Sequence, residues 1–128
     1  MTKRTKQSLS EDAALRAGVE QIASLAAEVK ASHIVALDVR GLTTIADSFV
    51  LCSVGSEPHF KAVFRSVKEG MKDAGRKPLS AEGSMHGGWL VMDYGDVIFH
   101  VFREEARAFY DLDSLWGDAP RIDLKLDS

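Results

Sequence analysis

The chain has 128 residues, 45% of them apolar and 27% charged, with a formal charge of -3. That length accommodates one domain whose core buries roughly 65 to 70% of the unfolded surface, and it excludes a second independent core. The acidic balance excludes a dedicated nucleic-acid binder, so any RNA contact has to come from a local patch.

The basic start Met1-Thr2-Lys3-Arg4 leads into Glu11 and Asp12, not into an apolar or Arg-rich leader, and no apolar run approaches the ~18 residues that span a bilayer. A cytoplasmic protein without membrane association is expected. Cys52 is the single cysteine, so no internal disulfide can form, and its neighbours Val50, Leu51 and Val54 point to a buried thiol in a reducing compartment. We expect residues 1–7 to be a flexible basic segment, residues 8–121 one domain, and residues 122–128 a charged tail.

Ser8-Leu9-Ser10-Glu11 fits a capping box and predicts a helix that starts there. Leu15, Val19, Ile22, Leu25 or Ala26, and Val29 carry its apolar stripe to about residue 31. Residues 34–39 and 49–54 are β-branched or continuously apolar and read as interior strands. Gly55-Ser56-Glu57-Pro58 is a strand-to-helix turn, with Ser56 as the cap and Pro58 in the first turn. In the helix that follows, Phe60, Phe64, Val67, Met71 and Ala74 form the core stripe, and Lys61, Arg65, Lys68, Lys72 and Arg76 a basic row ~100° around from it. Gly75 suits the C′ position, and Pro78 prevents the helix from resuming.

A short strand over residues 79–82 should complete a strand-helix-strand crossover. The glycine-rich loop 83–88 leads into two β-rich runs, 89–93 and 97–102, and Gly95 between them marks a hairpin. The second run alternates Val97, Phe99 and Val101 with Ile98, His100 and Phe102, so both faces are apolar and the strand is central. The first carries Trp89, Val91 and Asp93 on one face and Leu90, Met92 and Tyr94 on the other, as suits a strand nearer the edge. Residues 103–112 predict a short helix with Glu104 and Glu105 in its first turn and Ala106, Phe109, Tyr110 and Leu112 on its packed side. Trp116 should dock on the core. The whole reads as α/β: one compact domain with a mixed β-sheet flanked by helices.

Few residues carry a recognisable chemistry. Gly55-Ser56 invites a phosphate-binding reading, but there is no Walker lysine and only one glycine, so a capping turn is the preferred reading. Nucleotidyltransferases need paired carboxylates for magnesium on the next strand, whereas residues 79–82 supply Glu82 alone. Asp93 and Asp96 lie in a hairpin turn, where aspartate is common for turn chemistry. His33, His59, His86 and His100 are not at metal-ligand spacing, and His100 suits a core histidine. The row Lys61, Arg65, Lys68 and Lys72 is either a solvated face or a contact for an RNA backbone. Trp89 and Tyr94, with Met92 as apolar filler and the acids Asp93 and Asp96, are the expected protein-docking patch.

Ala46-Asp47-Ser48-Phe49-Val50, Glu82-Gly83, the whole of residues 89–102, and Leu115-Trp116-Gly117-Asp118-Ala119-Pro120-Arg121 together resemble the ribosomal silencing factor S, or Iojap-like, family over about residues 15–124. The resemblance implies a fold related to nucleotidyltransferases without their catalytic acids. It further implies a non-enzymatic protein with no cofactor or metal, which binds the fourteenth protein of the large ribosomal subunit. Occupying the subunit interface, it would block joining of the small subunit and lower translation when nutrients are short. The turn Ser53-Val54-Gly55-Ser56-Glu57-Pro58 departs from the family pattern, which usually has Thr-Gly, then Asn or Thr, then Ser, and an arginine two residues on. A metal-dependent nucleotidyltransferase is the alternative function, and a homodimer is a further use for exposed aromatics.

Overall fold

A computed structural model describes residues 6–84, 86–111, 114 and 116–124. Its elements in chain order are α1 (Lys6–Glu28), β1 (Ser32–Asp38), β2 (Ser48–Val54), α2 (Glu57–Asp73), β3 (Ser80–Ser84), β4 (Trp89–Asp93), β5 (Val97–Arg103), α3 (Glu104–Tyr110) and β6 (Arg121–Ile122). The strands form one six-stranded sheet in the order β3-β4-β5-β2-β1-β6. β2 and β5 run parallel, with Val50 opposite Phe99 and Cys52 opposite Val101, and the remaining pairs are antiparallel, so the sheet is mixed. No described helix is long and apolar enough to cross a membrane.

The two central strands have nearly continuous apolar sequences because each buries both of its faces. On one face Val50, Cys52, Val54, Val97, Phe99 and Val101 meet the apolar stripes of α1 and α2. On the other, Leu37, Phe49, Leu51, Ile98 and Phe102 form a second, smaller cluster with Trp89 and Trp116 at its margin. The predicted docking of Trp116 is therefore observed. The long helices pack closely on each other, since Gly70 of α2 has no Cβ to collide with Leu25, and Ser66 Oγ donates to the Leu25 carbonyl at 2.8 Å.

α2 follows its local chemistry at both ends. Ser56 Oγ accepts from the His59 amide at 3.2 Å, and Pro58 stands in the first turn. Gly75 at φ +85° lets its own amide reach Lys72 O at 2.9 Å and that of Arg76 reach Met71 O at 2.8 Å, which closes a Schellman motif. The buried stripe is Phe60, Val63, Val67 and Met71, whereas Phe64 is half-buried and Ala74 exposed. This corrects the predicted stripe: Val63 and Phe64 lie on either side of Phe60, both compatible with the 3.6-residue repeat, and the helix is turned so that Val63 faces the sheet.

Three further expectations are revised. α1 begins at Lys6, so position 8 lies within the helix and not at its N-cap. It also ends at Glu28, before residue 31, because Lys30 takes a left-handed φ of 63° while its amide bonds Ala27 O and that of Ala31 bonds Ala26 O. Residues 121–122 are a strand beside β1, with Ile122 opposite Ala36 and Leu124 packed on the main core, so the expected tail starts inside the sheet. The crossover from β2 through α2 does reach β3, running in the same direction, but the hairpin β4–β5 lies between them and β3 becomes the outer edge. Of the predicted packed side of α3, Leu112 lies outside the described residues, as do residues 125–128 of the tail.

Candidate functional site

The antiparallel hairpin β4–β5 forms as its sequence predicts, with Gly95 at φ +92° in the turn. Strand alternation then divides the predicted docking residues between two environments. Trp89, Val91 and Asp93 face away from α1 and α2, and each is only partly buried. Met92, fully buried, and Tyr94, 5% exposed, belong to the core beneath the helices. Neither presents a surface, so both are removed from the docking patch: a side chain of that parity lies under α1 or α2 whatever its amphipathic character. Burial raises the Tyr94 phenol above its usual range, with the Arg76 guanidinium 5.7 Å from the ring centroid opposing the shift.

The hairpin acids serve the turn first. Asp93 Oδ1 accepts from the Gly95 amide at 2.7 Å. Asp96 Oδ1 accepts from the Val97 amide at 3.0 Å and pairs with Arg76, whose Nη2 also donates to the Tyr94 carbonyl at 3.0 Å. This arrangement ties the end of α2 to the hairpin and takes Arg76 out of the predicted basic row. Gly18 of α1 completes the joint, since a Cβ there would sit 3.2 Å from the Arg76 guanidinium.

Around Trp89 the outward face of the sheet carries a cluster of five rings. The indole stacks on Phe102 with centroids 5.3 Å apart and on His100 at 5.9 Å, and its Nε1–H donates to His100 Nδ1 at 3.2 Å. Phe49 meets His100 edge-on at 5.0 Å and Trp116 at 5.2 Å. Accepting at Nδ1 places the proton of a neutral His100 on Nε2, and burial lowers its pKa to about 4. His100 is thus buried in the core as the sequence indicated and holds the tryptophan through Nδ1, but it is satisfied on that side only, since its buried Nε2 has no hydrogen-bond partner among the described residues. Strand register adds two residues that sequence reasoning missed. Val91, between Trp89 and Asp93, pairs with the exposed Glu82 of β3, so both lie on this face. The parity of β4 gave a signal for Val91, but Glu82 required the pairing of β3 with β4.

The other predicted site residues stand elsewhere. Lys61, Arg65, Lys68 and Lys72 are all exposed on the outer flank of α2, the helix-covered side of the sheet, with Lys68 Nζ 5.5 Å from the Phe64 ring centroid. The sheet separates them from Trp89. Cys52 is fully buried and its thiol is pushed up to about 12 by burial, which makes it unreactive. His59 Nε2 donates to the Val29 carbonyl at 2.6 Å. In the turn that departs from the family pattern, Ser56 is used as the helix cap and Ser53 Oγ accepts from Arg107 of α3 at 2.8 Å. Among the described residues, no group of three His, Cys, Asp or Glu could hold a metal ion.

Comparison with known proteins places this arrangement in a family. Residues 12–128 match the family model described as ribosomal silencing factor during starvation. A Bacillus subtilis protein named ribosomal silencing factor RsfS is 38% identical over 105 residues, covering 81% of this chain and 89% of its own. A protein of the same name from Halalkalibacterium halodurans is 38% identical over 96 residues, covering 75% of this chain and 82% of its own. The crystal structure of a Chromobacterium violaceum protein superposes with a TM-score of 0.77 at 26% identity, covering 88% of this chain and 93% of that one. The mixed sheet, the hairpin and the motifs on it therefore have one reading, and the chain belongs to the ribosomal silencing factor family.

Proposed function

We propose that this protein binds the large ribosomal subunit through its fourteenth protein, using the sheet face around Trp89, and that its bulk then excludes the small subunit and represses translation under nutrient limitation. The supporting observation is the five-ring cluster, which holds a partly exposed tryptophan in place before any partner arrives. Pre-ordered aromatics of this kind anchor interfaces because little side-chain entropy remains to be lost. Glu82 and Asp93 lie beside it, and carboxylates there suit a basic ribosomal protein, contributing mainly association rate and orientation. The action is steric and non-enzymatic, in the cytoplasm where ribosomes work. Trp89 and Asp93 remain in the contact together with Val91 and Glu82, while Met92 and Tyr94 lie in the core and Asp96, at the turn, is engaged by Arg76.

Sedimentation with purified particles tests the reading. The protein should pellet with large subunits and stay in solution with intact ribosomes, whose joined small subunit already covers the site. Equal pelleting with both would contradict exclusion. A homodimer of the free protein would use the same face, and light scattering with and without large subunits distinguishes the two occupants. Ribosomal RNA, the other partner suggested by the basic stripe, would have to reach Lys61, Arg65, Lys68 and Lys72 around the β3 edge, because they flank the opposite side of the sheet.

A further inference from the structure

On that opposite side, α2 and β3 border a groove that docking by the Trp89 face leaves unused. A cavity of about 300 Å³ is lined by Phe60, Phe64 and Leu90 and bounded by Gly83 and Ser84. Lys61 and Phe64 also line the next depression along α2, whose walls add Arg65, Lys68 and Lys72, with Glu69 as the one acid. The apolar cavity and the basic stripe are therefore continuous. Beside them runs β3, the last strand of the sheet, all five of its residues exposed. Its sequence Ser-Ala-Glu-Gly-Ser has neither the lysine nor the proline that commonly guards an edge. Gly83, which pairs with Leu90, borders the cavity without a side chain to fill it.

We propose that this groove receives an extended acidic segment of a partner protein, added to β3 as a further strand. One bulky apolar side chain of the segment sits among Phe60, Phe64 and Leu90, and its carboxylates lie beside Lys61, Arg65 and Lys68. The outer backbone amides and carbonyls of an edge strand match another polypeptide backbone, which a nucleic acid does not offer. The Lys68 ammonium over Phe64 also occupies a ring on which a nucleobase would otherwise stack. Charge decides the sign of the segment, with four cations along the stripe against Glu69 alone.

Fluorescence anisotropy with the free, full-length protein tests this without ribosomes, so its outcome is independent of the silencing reading. The probes are a dye-labelled peptide with one phenylalanine among glutamates and serines, its counterpart with lysines for glutamates, and a single-stranded oligouridylate. The acidic peptide should bind saturably, and Lys61→Glu with Lys68→Glu, both exposed, should weaken it about tenfold or more. N-methylating one alternate set of peptide amides should abolish binding, whereas methylating the other set should leave it intact, as strand pairing requires. Trp89→Ala should leave peptide binding unchanged. Equal binding of both peptides, indifference to methylation of either set, or binding of the oligouridylate alone would overturn the proposal, the last returning the stripe to RNA.

Discussion

Trp89 is fixed by its neighbours on β5, and substitution should be felt in both stability and binding. Trp89→Ala removes the stacking on Phe102 and His100, so we expect a loss of roughly 1 to 3 kcal/mol in folding stability together with about 2 kcal/mol or more in binding to large subunits. Denaturant melts and quantitative sedimentation on the one variant separate these quantities. Wild-type affinity per folded molecule would remove Trp89 from the interface. His100 yields a pH prediction. Its folded pKa of about 4 lies below the usual 6.5, so the unfolded chain binds the proton more readily. The neutral ring's contribution is complete above pH 6.5 and is lost as the pH falls toward 4, amounting to at most about 3 kcal/mol. Urea melts across that window should show a slope in the wild type that His100→Phe reduces. Gly83 supplies a purely steric case: at φ +109°, an added Cβ would collide with the Trp89 carbonyl oxygen. Gly83→Ala should break the pairing of β3 with β4, read as faster amide exchange along both strands.

The helix ends make a matched pair of tests. Gly75 and Lys30 occupy the same left-handed C′ position of α2 and α1, and no atom lies within 4 Å of where a Gly75 Cβ would be. Gly75→Ala should therefore cost about 1 kcal/mol and Lys30→Gly should gain a similar amount, both read by thermal melts. The Gly75 motif was legible because glycine and the following Pro78 announce it, whereas Lys30 gives no such signal: its conformation is held by bonds that form only once α1 has folded. The same contrast covers other elements. The β4–β5 hairpin and the capped start of α2 depend on residues a few positions apart, and sequence suffices for them. β6 is two residues long and exists because β1 offers an edge, so composition read residues 122–128 as a charged tail. For Tyr94, alternation gave the correct face, but nothing local says which face two helices will cover.

Taken whole, the molecule assigns different work to the two sides of one sheet, the long helices and basic stripe on one and the aromatic cluster on the other. Since Asp93 and Asp96 already hold the hairpin turn, we expect nucleotide with magnesium to leave the melting temperature unchanged and to yield no transfer product. A rise of several degrees would revive the nucleotidyltransferase alternative. The parallel ladder of β2 and β5 bears also on how the chain is made. Val50 meets Phe99 only after roughly fifty intervening residues have been added, so the centre of the sheet is among the last parts that a growing chain can close. Until then β2, apolar on both faces, lacks one of its two neighbours. Folding during synthesis should therefore proceed in two stages, with α1, β1, β2 and α2 waiting as an open half until the hairpin clears the exit tunnel and completes the sheet.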